Sequence, residues 1–131
     1  MKFHHIGILV SNLSYGLKIY KKIYKNLKHS KTIIDKKIGV KLKFIHEEDK
    51  ILYELIAPYG KSSPITKLIK NKTSILNHVA YKEKKFDEKI KYFKKNNFLQ
   101  ISEPLGAKAF KGKRVVFFMT PLHHIIELIE D

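Results

Sequence analysis

Two polar side chains recur at one interval inside segments that are otherwise apolar. His5 lies in FHHIGILV and His78 in ILNHVAY, while Glu54 lies in ILYELIAP and Glu127 in HIIELIE. The separation is 73 residues for both pairs (78 − 5 and 127 − 54). A polar group in a strand-like apolar segment is costly unless something satisfies it. Two of them repeating at one spacing mark a duplicated unit. Around these anchors the halves align directly. HHIGILVSNLSYGLKIYKK from His4 matches NHVAYKEKKFDEKIKYFKK from Asn77, and ILYELIA from Ile51 matches HIIELIE from His124.

The periodicity within each copy reads as β-α-β-β-β. Residues Phe3 to Val10 alternate as a strand, with His5 on the face of Phe3, Gly7 and Leu9. Ser11 and Asn12 are good N-caps. From Leu13, the spacing of Leu17, Tyr20, Tyr24 and Leu27 predicts an amphipathic helix whose lysines form a solvated face. A weak strand over Ser30–Asp35, a strand over Val40–His46, a turn at Glu47–Lys50 and a strand over Ile51–Ala57 follow. Leu52, Glu54 and Ile56 share a face of the last one. The second copy reads as a strand over Ile75–Tyr81, a helix over Phe86–Asn96, and strands over Phe98–Ser102, Arg114–Met119 and His124–Glu130. Glu103–Gly112 reads as a loop carrying Pro104, Gly106 and Gly112.

At 131 residues the chain has the length of one compact domain. Its modules are expected at about residues 1–58 and 74–131, joined by a linker over 59–73 that contains YGKSSP, with a short helical turn after Pro64. One βαβββ unit cannot bury both faces of its sheet, so two copies are expected to pair. The expected fold is α+β, with tandem βαβββ modules pairing into a curved mixed sheet around a cleft. Pseudo-two-fold pairing would bring His5, Glu54, His78 and Glu127 together. A lone histidine on a half-apolar strand is most often a satisfied core residue; the two coincident offsets point instead to metal ligands. Two imidazoles and two carboxylates suit Zn, Ni, Co, Mn or Fe as divalent ions.

The formal charge is +15, yet among the 27 basic residues only Arg114 is an arginine. Phosphate clamping and base readout favour the planar arginine fork. The lysines are spread over almost every segment, so no nucleic-acid partner is expected. There is no cysteine, which removes disulfides and thiolate metal sites. No apolar run approaches the ~20 residues of a membrane span, and no leader precedes the first strand, so a cytoplasmic protein without a membrane partner is expected.

Several segments resemble the vicinal oxygen chelate superfamily, and within it the methylmalonyl-CoA epimerases: HHIGILV, YELIAPYGKSSPITKLIKNK, NHVAY and SEPLGAKAFKGKRVVFFMTP…IIELIE. The run ELIAPYGKSSPI is the most specific of them. The resemblance covers nearly the whole chain and implies metal ligands at His5, Glu54, His78 and Glu127, one divalent ion, and a homodimer, with Lys-free edge strands as candidate surfaces. It implies a metal-dependent isomerase or epimerase moving a proton next to a metal-bound carbonyl of an acyl-CoA thioester, with Glu127 and Glu54 as the available catalytic carboxylates. Lys108, Lys111, Lys113 and Arg114 are candidate contacts for the CoA phosphates, although a Lys-rich surface explains them as simply.

The sequence departs from the family in two places. A glutamate proposed as a base partner in epimerases has Lys41 and Leu42 as its nearest counterparts here. A Gly-containing turn before the last strand is replaced by Pro121-Leu122-His123-His124. The alternative the resemblance leaves open is lactoylglutathione lyase acting on a glutathione thioester, because His-Glu-His-Glu is also a glyoxalase I ligand set. Against it, Glu103–Pro121 lacks that family's Gly-rich stretch. A third reading is a non-enzymatic ligand-binding protein of the resistance type. The remaining histidines, His4, His29, His46, His123 and His124, read as surface or supporting residues.

Overall fold

The computed structural model describes residues 1–70 and 76–131. The chain is α+β, and these residues form ten strands of mixed direction, three α-helices and a short 3₁₀ helix. They divide into two compact units. His5–Asn77 make up the first, and Met1–His4 join His78–Asp131 in the second. The expected start of the second module at Ser74, its first strand residue Ile75 and the end of the linker lie outside the described residues.

The first unit contains most of β1 (Lys2–Leu9), then α1 (Leu13–Ile23), β2 (Lys28–His29), β3 (Ile33–Asp35), β4 (Val40–Glu47), β5 (Lys50–Pro58) and α2 (Thr66–Lys70). Its strands run in the order β2-β4-β5-β1, with β3 also paired to β4. β1 lies parallel to β5, with Gly7 opposite Glu54, and the other pairings are antiparallel. In place of the weak strand expected over Ser30–Asp35, two short pieces on one edge, Lys28–His29 and Ile33–Asp35, flank a break that begins at Ser30. Ser30 turns its side chain into that break, and its hydroxyl accepts the Phe44 amide at 2.9 Å.

Helix α1 begins where the sequence predicts. The Asn12 side chain accepts the Tyr15 amide at 2.7 Å, satisfying one of the orphan donors of the first turn. It ends earlier than the periodicity suggests. Tyr24 has left helical geometry (φ −117°, ψ 115°), which places its hydroxyl 3.2 Å from that of Tyr53 on β5. Leu27 still packs on the sheet, but from a loop. Close helix–sheet approach is set by Gly16. A Cβ there would sit 2.8 Å from Cγ1 of Val10 and 3.3 Å from Cδ1 of Leu55.

The second unit repeats the plan with β6 (Leu76–Glu83), α3 (Phe86–Lys95), β7 (Leu99–Gln100), β8 (Leu105–Gly106), β9 (Arg114–Met119) and β10 (Ile125–Glu130). Its strand order is β6-β10-β9-β7, with β8 also on β9. Helix α3 carries Asp87 and Glu88 in its first turn and Lys94 and Lys95 in its last, both favourable to the helix dipole. It stops at Asn97, which takes the left-handed conformation (φ 64°) while the Phe98 amide reaches back to the Phe93 carbonyl. The loop expected over Glu103–Gly112 is more ordered than its Pro and Gly content suggests. It holds β8 and the 3₁₀ helix Lys108–Phe110.

The repeat extends to hydrogen-bond register. Gly7 faces Glu54 in the first unit and Ala80 faces Glu127 in the second, both 47 residues apart (54 − 7 and 127 − 80). Phe44 faces Glu54 and Phe117 faces Glu127 across the antiparallel pairs. In each unit one sheet face is covered by a helix. Ile8, Ile45, Leu55 and Ala57 pack with Leu13 of α1, and Val116, Phe118, Ile126 and Leu128 pack with Phe86, Ile90 and Phe93 of α3. The valine, leucine, isoleucine and phenylalanine side chains among these are worth roughly 1.5–3 kcal/mol each when buried. Because strand residues alternate between faces, His5, Glu54 and Phe44 fall on the face away from α1, and His78, Glu127 and Phe117 on the face away from α3.

Candidate functional site

The first unit builds one His–Glu pair. His5 comes from the middle of β1 and Glu54 from the middle of β5, its parallel neighbour. Their side chains are almost wholly enclosed, at 0% and 6% exposure, with His5 Nε2 3.2 Å from Glu54 Oε2. The ring of Phe44 stands edge-on to the His5 ring, with centroids 5.7 Å apart and planes at 69°.

The second unit builds the same constellation. His78 is on β6 and Glu127 on β10, again parallel neighbours, with exposures of 2% and 5% and Nε2 3.5 Å from Oε2. Phe117 stands edge-on to His78, with centroids 5.4 Å apart and planes at 76°. In both units a serine from the edge segment fixes the phenylalanine backbone. Ser30 Oγ accepts the Phe44 amide and Ser102 Oγ accepts the Phe117 amide, each at 2.9 Å.

The donor chemistry fits a divalent metal ion. Each unit offers one imidazole nitrogen and one carboxylate oxygen, all buried. Two donors held about 2.1 Å from one ion, at angles between octahedral and tetrahedral, lie about 3.0–3.4 Å apart. The observed 3.2 Å falls within that range and 3.5 Å lies 0.1 Å beyond it. Glu54 and Glu127 stand on strands flanked on both sides within their unit, and His5 and His78 on the parallel neighbours of those strands, which fixes them better than loop positions would.

The phenylalanines are what the sequence reading passed over. A signal was available, because Phe44 and Phe117 are also 73 apart (117 − 44), hidden among ordinary apolar strand residues. The serines are 72 apart (102 − 30), so the gapless alignment missed them.

Other candidate residues fall elsewhere. Arg114 is engaged by two carboxylates. Its guanidinium meets both oxygens of Asp87 at 3.0 Å and both of Glu130 at 2.8 and 3.1 Å, and it lies over the Phe86 ring. Hydrogen bonds from Arg114 hold the Glu130 carboxyl below the usual range. Lys41 pairs with Ala57 and lies on the helix side of the sheet, whereas Leu42 is buried on the side of Glu54. The edge strand β2 contains Lys28, so the expected Lys-free edge does not hold in the first unit.

In the Pro121–His124 turn, Pro121–His123 form a three-residue hairpin loop closed between Thr120 and His124. The His123 amide donates to the Thr120 carbonyl and the Thr120 amide to the His124 carbonyl, each at 2.9 Å. His123 occupies the left-handed position (φ 62°) that such loops usually give to glycine. His124 is exposed, with Nδ1 3.1 Å from the Thr120 hydroxyl.

Comparison with known proteins gives the wider setting. A hypothetical protein from Bacillus halodurans C-125 superposes with a TM-score of 0.83 at 28% identity, covering 99% of this chain and 94% of its own. Methylmalonyl-CoA epimerase from Mycobacterium tuberculosis gives 0.80 at 19% identity, covering 98% and 87%. A Streptomyces coelicolor methylmalonyl-CoA epimerase in complex with 2-nitronate-propionyl-CoA gives 0.80 at 16% identity, covering 100% and 97%. Among curated proteins no sequence matches. The α+β fold of tandem βαβββ modules expected from the repeat is thus the one these structures share with the chain. Residues 4–117 match the model of the Glyoxalase/Bleomycin resistance protein/Dioxygenase superfamily, and the chain belongs to that superfamily.

Proposed function

We propose that His5, Glu54, His78 and Glu127 jointly hold one divalent metal ion, and that the protein is a metal-dependent isomerase or epimerase acting next to the carbonyl of an acyl-CoA thioester. The observation that carries the reading is the identical pair in each unit, buried and at the donor spacing of ligands on a single ion. An ion held there supplies Lewis acidity towards a substrate carbonyl and so makes the neighbouring C–H more acidic.

The chain's own residues supply the rest. Glu127 or Glu54 accepts the proton from the α-carbon on a carboxylate oxygen. Return of a proton to the opposite face of that carbon gives epimerisation, and this requires a second carboxylate or water on that side. The apolar residues beside the pairs, Leu42 and Phe44 in the first unit and Val115 in the second, are buried and keep bulk water from the transferred proton. Fold likeness to the two epimerases and the ELIAPYGKSSPI run support the acyl-CoA assignment.

The deciding measurement is deuterium uptake at C2 of propionyl-CoA and methylmalonyl-CoA in D₂O, with and without chelator. Metal-dependent exchange is expected. Metal-loaded protein that exchanges no acyl-CoA would remove the epimerase reading.

One observation favours a second reading, lactoylglutathione lyase. Leu42 stands where a further carboxylate would face the site, so the chain lacks that second base on β4. Thioester formation from the methylglyoxal–glutathione hemithioacetal, absent acyl-CoA exchange, would establish it. Neither activity, with a tightly held small molecule, would favour the non-enzymatic alternative.

A further inference from the structure

We propose that Phe44 and Phe117 are positioning residues that hold the His5 and His78 rings in ligand orientation, and that Ser30 and Ser102 lock them in place. The inference rests on the metal reading above.

A histidine on a strand has a broad, roughly two-fold preference at its second side-chain torsion. Contact with a carboxylate oxygen acts on one ring nitrogen, whereas contact with the ring itself acts on its plane. Each unit supplies such a ring contact in the same way. The phenylalanine sits directly across the antiparallel pair from the glutamate. Its ring meets the imidazole at 5.7 Å and 69° in one unit and at 5.4 Å and 76° in the other. Edge-to-face geometry of this kind is directional, because a positive ring edge meets a negative face.

The backbone arrangement supports a designed restraint over incidental packing. Phe44 and Phe117 have their amides turned towards the sheet edge, where the neighbouring strand is interrupted. There a serine hydroxyl takes the amide at 2.9 Å in both units. Adjacent ladder bonds close the same point: the Ser30 amide donates to the Phe44 carbonyl and the Ile101 amide to the Phe117 carbonyl, each at 2.9 Å. The serines are one residue out of the 73-residue repeat yet meet equivalent atoms. Two different local paths thus converge on one contact. A role confined to the core would place the phenylalanines with the helix-facing clusters, and neither belongs to them.

The test is Co²⁺ titration of chelator-stripped protein, followed by calorimetry and by the visible d–d absorption, for wild type, Phe44→Leu, Phe117→Leu, Phe117→Tyr, Ser30→Ala and Ser102→Ala. Leucine keeps an apolar side chain and removes the ring edge. Each leucine variant is expected to weaken Co²⁺ binding about threefold to tenfold and to alter the d–d band, because the nitrogen donor is less firmly oriented. Phe117→Tyr retains the ring and is expected to bind like wild type, which separates ring geometry from general damage. The serine variants are expected to weaken binding less than the leucine variants. Leucine variants that bind as tightly as wild type, with an unchanged spectrum, overturn this inference alone. Wild-type protein that takes up no metal overturns the metal reading, and this inference with it.

Discussion

The two units hold one arrangement on one sheet face and two different arrangements on the other. Away from the helices, histidine, glutamate and phenylalanine occupy the same register in both units. Under the helices the second unit is built on aromatic rings. Phe93 stacks on Phe98 at 4.6 Å and meets Phe118 edge-on at 5.3 Å. The first unit has aliphatic residues at the centre and half-buried tyrosines at the rim, with Tyr20 against Tyr53 and Tyr24 sharing a hydroxyl contact with Tyr53. A packed core needs only apolar volume, and many side-chain sets fill it equally well. A donor set needs particular atoms at particular distances. The face that repeats in detail is the one that carries the histidine–glutamate pairs.

The largest effect is expected from removing one imidazole at a time. His5→Ala and His78→Ala are each expected to lower bound metal at least tenfold, measured by elemental analysis after purification without chelator. If only one of them does, the two pairs are not equivalent halves of one site. Next in size is the helix-facing core. Phe93→Ala is expected to cost about 3–5 kcal/mol and Leu55→Ala about 2–5 kcal/mol, read by urea denaturation. Stability loss without change in the metal stoichiometry of the surviving folded protein would confirm that the two faces do separate work.

Two pH effects sharpen the contrast between the rims of the units. In the second unit, Glu130 titrates below its ordinary value, chiefly through hydrogen bonds from Arg114. That contribution is present above the unfolded glutamate pKa, about 4.3, and is lost as pH falls through the lower folded value. Glu130→Gln is expected to flatten the acid limb of the stability profile. In the first unit the Tyr24 hydroxyl is pushed up to about 12, mainly by its hydrogen bond with Tyr53. Its contribution is present below the unfolded tyrosine value, about 10, and is lost as pH rises towards 12. Tyr53→Phe is expected to remove that alkaline loss, followed by denaturation between pH 9 and 11. The smallest effect is expected at the hairpin before β10. His123→Gly relieves a left-handed histidine and should raise stability by a few tenths of a kcal/mol, because glycine's greater freedom in the unfolded chain offsets most of the gain.

Much of this was legible in the sequence. The interval of 73 exposes the duplication because His and Glu are rare enough in apolar strands to be seen, and the same interval aligns the first and last strands of the two copies. Phe44 and Phe117 obey it too, but a phenylalanine on a strand carries no signal against a background of apolar residues. The end of α1 is not legible in the sequence because Tyr24 fits the helical period, whereas in the fold its hydroxyl meets that of Tyr53, 29 residues away. The break between β2 and β3 and the short strand β8 depend on long-range pairing with β4 and β9, which local propensity does not contain. The fate of Arg114 was equally hidden, since Asp87 and Glu130 meet it only after folding.

The placement of each His–Glu pair on parallel neighbours has a kinetic and thermodynamic consequence. Parallel strands cannot be joined by a tight turn, so the donors of a pair are 49 residues apart in sequence (54 − 5 and 127 − 78). No local fragment of the chain presents even half of the donor set; each half exists only once a helix and the intervening strands have assembled. An ion that binds those donors recognises the finished fold and has little affinity for the unfolded chain. Metal at about a hundred times its dissociation constant would then add roughly 2.7 kcal/mol to the free energy of unfolding by mass action alone. The concentration of free metal would then set part of the folding equilibrium, in addition to any part the ion has in the reaction.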